Sequence, residues 1–169
     1  APALSPDQAD SEITAARREQ DALMEQIMLD IGRLPDGELR SQKMRLFAEI
    51  QRRLEAEGSL RKHFVISPDS DALYADYCAA MNRTISGAGR DHFPHFGAQR
   101  LYGDVGVMLT ITASGQVLAA KLAQSSGNET LDHNAIEIVQ SVRGAPFSAA
   151  MRRSAGQIVF LAHLRFIHE

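Results

Sequence analysis

Only one cysteine, Cys78, occurs in the 169 residues, so no disulfide can form within the chain. A disulfide-stapled scaffold is excluded, and a lone thiol leaves the compartment open. No stretch approaches the roughly 18 consecutive apolar residues that cross a bilayer as a helix. The 18 lysines and arginines form no long basic run, and the net charge is -3. A nucleic-acid footprint, which needs a basic patch or stripe, is therefore not expected. An initiator methionine is also lacking; a chain that opens Ala1-Pro2-Ala3-Leu4 reads as a mature or trimmed fragment, so the lack of a bilayer-crossing run here says little about the full-length protein. What the chain does have is ordinary globular material. Hydrophobic residues make up 44% and charged residues 23%, enough for a packed core, and the length fits one domain with an appendage or two small domains.

Two helical patterns come first. Ser5-Pro6-Asp7 is a start signal, an N-cap candidate followed by a proline in the first turn. Behind it Ile13, Ala16, Leu23, Ile27 and Leu34, with Met24, Met28 and Ile31 beside them, form an apolar stripe. Leu34-Pro35-Asp36-Gly37 stops that helix. A second covers residues 38–57, with Leu39, Lys43, Leu46, Phe47, Ile50 and Leu54 down one side and Gly58-Ser59 after it. The short connection favours antiparallel neighbours, so residues 7–57 read as a helical hairpin. Its stripe either seals the helices against each other and the domain behind, or docks a partner. Most such stripes are core, and packing is expected here.

From Arg61 the pattern changes. Arg61-Lys62-His63-Phe64-Val65-Ile66-Ser67-Pro68 reads as an extended linker, because a residue before proline is pushed toward extended geometry. Leu73, Tyr77, Met81 and Thr84 or Ile85 mark a helix over residues 71–85, which Gly87-Ala88-Gly89 is expected to break ahead of irregular chain at Phe93-Pro94-His95-Phe96. Val105, Val107, Leu109 and Ile111 alternate with Gly106, Met108, Thr110 and Thr112, the period of a half-buried strand. Ala113-Ser114-Gly115-Gln116 is a tight-turn signal, and Leu118, Ala120 and Leu122 carry the returning strand. After Ser125-Ser126-Gly127-Asn128 a helix presents Leu131, Ala135, Ile138, Val139 and Val142, ended by Gly144 and Pro146. A last strand alternates Ile158, Phe160, Ala162, Leu164 and Phe166 with Val159, Leu161, His163, Arg165 and Ile167. The order predicts an α+β fold in which helices cover one side of a small three-stranded antiparallel sheet (β-β-α-β). It assigns residues 1–60 to an N-terminal helical hairpin and residues 61–169 to the domain behind it.

Catalytic and metal chemistry finds little support. His92 and His95 have chelating spacing, yet Cys78 stands alone and no third ligand is implied. Ser126, Asp132 and His133 are the makings of a nucleophile triad, but no Gly-x-Ser-x-Gly elbow exists, and adjacent helical residues point apart. Gly87-Ala88-Gly89 lacks the strand and the later glycine of a phosphate loop. No enzyme activity, metal or cofactor is expected.

In order and detail residues 61–169 resemble the TonB carboxy-terminal domain family. Tyr102-Gly103 leads into a hydrophobic strand, and Ser114-Gly115-Gln116-Val117 stands where members place their Asp/Ser-Gly-x-Val hairpin turn. Ser125-Ser126-Gly127-Asn128 precedes Leu131-Asp132 and Ala135, Pro146-Phe147 follows the helix, and Leu164-Arg165-Phe166 closes the last strand. Arg61 to Ser67, Tyr74-Ala75-Asp76-Tyr77 and Phe93-Pro94 resemble the family's lead-in. The resemblance implies a non-enzymatic periplasmic module of a transducer anchored in the inner membrane. It also implies an ExbB/ExbD-type motor driven by the proton gradient, and capture of the TonB box of outer-membrane receptors for uptake such as siderophore-bound iron. Capture works by adding the box as a strand to a sheet edge. By family analogy that edge is the last strand, with Gln157, Val159, Leu161, His163 and Arg165 as the receptor-peptide residues. The alternatives are a TonB- or TolA-like envelope module for motility, signalling or envelope organisation, and a structural oligomer paired through the hairpin. A monomer or weak dimer is expected.

Overall fold

The alternating runs at residues 105–111 and 158–166 are strands, and they lie side by side. A computed structural model describes residues 6–58, 62–66 and 71–167, with side chains from residue 15 onward. Among the described residues the order is α1 (Pro6–Gly32), α2 (Glu38–Ala56), β1 (His63–Val65), α3 (Ala72–Asp91), β2 (His95–Phe96), β3 (Gln99–Arg100), β4 (Gly103–Thr112), β5 (Val117–Gln124), α4 (Glu129–Ser141), α5 (Ala149–Ser154) and β6 (Gln157–Phe166). Four strands form one sheet in the order β1-β6-β4-β5, and β2 and β3 form a separate ribbon.

β4 runs antiparallel to β5 and to β6, and its register with β6 holds from Gly103↔Phe166 to Thr112↔Gln157 without a shift. β1 lies parallel to β6, with His63, Phe64 and Val65 opposite Ile158, Val159 and Phe160. The expected three-stranded antiparallel sheet is therefore corrected to a mixed sheet of four strands. Its extra strand comes from the segment read as a linker; Arg61, Ser67 and Pro68 of that segment fall outside the described residues. Three residues are too few to show a period of two, so the strand had no local signature.

Helices cover both faces of the sheet, not one. On the first face Val107, Leu109, Ile158, Phe160 and Leu164 pack against Tyr74, Met81 and Ile85 of α3, Leu131 and Val139 of α4, and Met151 of α5. On the second, Phe64, Met108, Ala123 and Val159 pack under Met24, Met28 and Ile31 of α1 and Phe47 of α2. With both faces covered, residues 105–111 are buried without interruption, although their alternation suggests one wet face.

α3 also departs from expectation. It continues through Gly87-Ala88-Gly89 to Asp91. Gly89 is buried against β6, where a Cβ would sit at contact distance, 3.4 Å, from the Phe166 ring. The turn between β4 and β5 explains its own glycine: Gly115 has φ +91°, and a Cβ would meet the Gly144 carbonyl oxygen at 2.1 Å. Gly144 N–H donates to Gly115 C=O at 2.8 Å, and Phe147 N–H donates to Ala113 C=O at 2.8 Å. The turn and the Pro146-Phe147 segment thus form one knot. Ahead of α4, the Asp132 carboxylate accepts from Ser126 N–H at 2.8 Å and from the hydroxyls of Ser125 and Ser126, while Asn128 caps the helix by accepting from Leu131 N–H at 3.1 Å.

Candidate functional site

The outer edge of β6 can be derived bond by bond. Ala113 N–H donates to Gly156 C=O at 3.1 Å, which sets the phase of the β4–β6 ladder. Because the register is unbroken, Ile158, Phe160, Ala162, Leu164 and Phe166 bond with β4. The backbones of Gln157, Val159, Leu161, His163 and Arg165 therefore turn outward, away from β4.

β1 takes the first half of that outward row. Three successive parallel pairs use Gln157 C=O, both groups of Val159 and Leu161 N–H. β1 is closed on its own far side by a side chain. The Gln51 amide donates to Phe64 C=O at 2.8 Å and accepts from Phe64 N–H at 2.6 Å. A buried glutamine thus supplies the donor and acceptor that a further strand would bring.

Past Leu161 the row is open. No strand pairs there among the described residues, which leaves Leu161 C=O and both backbone groups of His163 and Arg165. The five predicted residues thus divide. Gln157 and Val159 are engaged by β1, with Val159 fully buried; Leu161 stands at the junction; His163 and Arg165 are exposed.

A cleft adjoins the open half on each side of the sheet. On the α3 side, a cavity of about 320 Å³ is lined by Ile85, Gly89, Arg90 and Phe93 together with residues 163–167. Consecutive β6 residues reach it, although their side chains alternate between faces, so the bare backbone edge forms part of its wall. On the hairpin side, Asp36, Gly37, Arg40, Met44, Ile66, Leu161 and His163 line a second cavity of about 380 Å³. Arg40 holds Asp36 at 2.5 Å, and Arg165 lies 3.9 Å from Asp104. Partial burial, together with the nearby Arg40 and Arg165 charges, holds the His163 imidazole below its ordinary value despite Asp104 and Asp36.

The candidate chemistry elsewhere is engaged in other ways. His133 pairs with Glu137 at 3.0 Å on an exposed helix face, while the neighbouring Asp132 serves the Ser125-Ser126 turn. His95 Nδ1 lies 3.3 Å from the Phe93 carbonyl oxygen. Among the described residues no group of three His, Cys, Asp or Glu side chains could hold a metal ion. β1, Gln51 and the Arg40 cleft are absent from the sequence reading. Gln51, four residues after the buried Phe47, was their one local sign: a polar side chain on an inward helix face.

Residues 97–167, from the β2–β3 ribbon to the end of β6, match the family model of the Gram-negative bacterial TonB protein C-terminal. This segment is a TonB-type carboxy-terminal domain. The family comprises periplasmic interaction domains, and it covers the open edge but neither α1, α2, β1 nor α3. None of the curated proteins compared matches the chain. A solution structure of TolAIII bound to a peptide derived from the N-terminus of TolB is similar at 18% identity. The alignment covers 52% of this chain and 75% of that one with a TM-score of 0.37, a likeness too low to carry an argument.

Proposed function

We propose that the TonB-type domain grips the TonB box of an outer-membrane receptor by adding it as a strand to the open half of β6. In the full-length protein this domain is the periplasmic end of an inner-membrane transducer. An ExbB/ExbD-type motor pulls on it with proton-motive force to drive uptake, siderophore-bound iron among the candidates. The observation that carries this reading is the row of outward backbone groups past Leu161, inside a segment of the TonB family. Backbone pairing suits the task, since it accepts many peptide sequences and spreads a pull over several hydrogen bonds.

A proline on β6 is the decisive test. The His163 N–H faces outward, so His163→Pro removes a donor to the peptide without taking a bond from the β4 ladder. Val159→Pro is a poorer choice, because it also breaks the pairing with β1. In calorimetric titrations with a panel of TonB-box peptides, His163→Pro is expected to abolish binding and His163→Ala to retain most of it. Circular dichroism of the free protein serves as the folding control. A folded proline variant that binds as well as wild type, or a wild type that ignores every peptide, overturns strand addition at this edge.

A further inference from the structure

Backbone pairing alone makes a weak complex. The open row offers Leu161 C=O and two groups each on His163 and Arg165. The net gain per backbone hydrogen bond is small, and five of them do little more than offset the freedom lost on association. Side-chain anchors have to supply the rest, and both clefts beside the edge are walled by elements outside the family segment.

We propose that the amino-terminal hairpin and α3 read the side chains of the bound peptide, the hairpin selecting a carboxylate on its side of the sheet and α3 an aliphatic side chain on the other. This rests on strand addition at β6. An added strand sends successive side chains to opposite faces of the sheet, one set into each cleft. The α3-side cleft has an apolar floor of Ile85, Phe93, Leu164 and Phe166, and Gly89 of α3 lines it as well. The hairpin-side cleft has Arg40, whose Nη1 is held by Asp36 while its buried Nε has no hydrogen-bond partner among the described residues. The rest of the guanidinium lines the cleft, and a guanidinium binds a carboxylate with defined geometry. Charge around the edge agrees. Arg40, Arg90 and Arg165 border it, and the facing aspartates, Asp36 and Asp104, each already lie beside one of these arginines. Partial burial and the Arg40 and Arg165 charges bias His163 toward its neutral form.

The test uses the whole chain and two fluorescein-labelled heptapeptides of alternating sequence, one valine–glutamate and one valine–lysine, followed by fluorescence anisotropy. The glutamate peptide is expected to bind at least about tenfold tighter, the equivalent of roughly 1.4 kcal/mol. Arg40→Glu should abolish or reverse the preference, and the milder Arg40→Gln should flatten it. Arg45→Glu, on the exposed side of α2, controls for net charge and should leave the ratio unchanged. Gly89→Leu should fill the α3-side cleft and weaken both peptides. An unchanged ratio in folded Arg40→Glu, or an equal effect from Arg45→Glu, overturns the inference. If the two peptides bind equally and His163→Pro abolishes both, strand addition stands and the hairpin's selectivity falls. If neither binds, the selectivity falls too, and the TonB-box titration decides strand addition separately.

Discussion

His63 stands where α2, β1 and α3 meet. Its Nδ1 lies 2.5 Å from Glu55 and its Nε2 2.5 Å from Asp71, and the ring stacks on Tyr74 with centroids 4.2 Å apart. Burial alone pulls the imidazole down, but hydrogen bonds to Asp71 and Glu55 outweigh it and push the value up to about 9. Only the charged ring donates from both nitrogens, so the fold holds imidazolium. Because the folded value lies above the ordinary 6.5, the stabilisation is complete below pH 6.5 and is lost as the pH rises to about 9. Urea unfolding is expected to show a loss of about 2–3 kcal/mol across that window. His63→Phe should remove the slope while keeping an aromatic ring against Tyr74. A wild-type profile that stays flat there argues against the paired imidazolium. Glu25 is the acidic counterpart: burial would raise its carboxyl, but Lys62 at 2.8 Å and Lys121 at 3.2 Å lower it, tying α1 to β5 and to the residue before β1.

At the scale of an element, the hairpin's apolar stripe divides into two. Met24, Met28 and Ile31 of α1 and Phe47 of α2 face the sheet, while Leu23, Leu39, Leu46 and Ile50 face outward. Packing and exposure both occur on these helices, so Ile27 and Ile50, which look equivalent in the sequence, are not equivalent in the fold. Ile27 lies partly buried against the second core, whereas Ile50 is 36% exposed and Met28 0%. Met28→Asp places a charge among Phe47, Met108 and Val159 and should cost several kcal/mol, roughly the range of the largest single-site effects. Ile50→Asp should change stability by about 0.5 kcal/mol or less. Thermal melts of the two variants check this, and a large loss for Ile50→Asp would mean that the outer stripe is covered.

For the whole molecule, the hairpin is the second cover of the sheet. Phe64, Met108, Ala123 and Val159 have α1 and α2 as their neighbours, and Gln51 of α2 seals the edge of β1. Removing residues 1–60 strips that layer and leaves the Phe64 backbone without Gln51. The shortened chain is expected to lose its sharp thermal transition and to bind a hydrophobic dye, as cores with one bare face do. If residues 61–169 instead unfold as sharply as the whole chain, the hairpin is a separable unit and the division at residue 60 holds.

Local order was legible in the residues because it is written locally. Period-two alternation marked β4 and β6, three- and four-residue spacing marked α1, α2 and α4, and the positive φ of Gly115 explains the turn that joins β4 to β5. Alternation also separates odd from even residues along β6, which is why one set of backbones faces outward together. What covers an apolar face is not written there. A stripe states that it must be buried and names no partner, so the placement of α1 and α2 on the far face of the sheet came only with the tertiary structure. The same holds for β1, a strand of three residues paired with a segment at the far end of the chain. Local propensity alone would stop α3 at its glycines; in the fold the helix runs on to Asp91, with Gly89 buried beside Phe166. Whether each half of the β6 edge is closed or open was settled in the same way, because a hydrogen bond between distant segments depends on which backbones the packed core brings within reach.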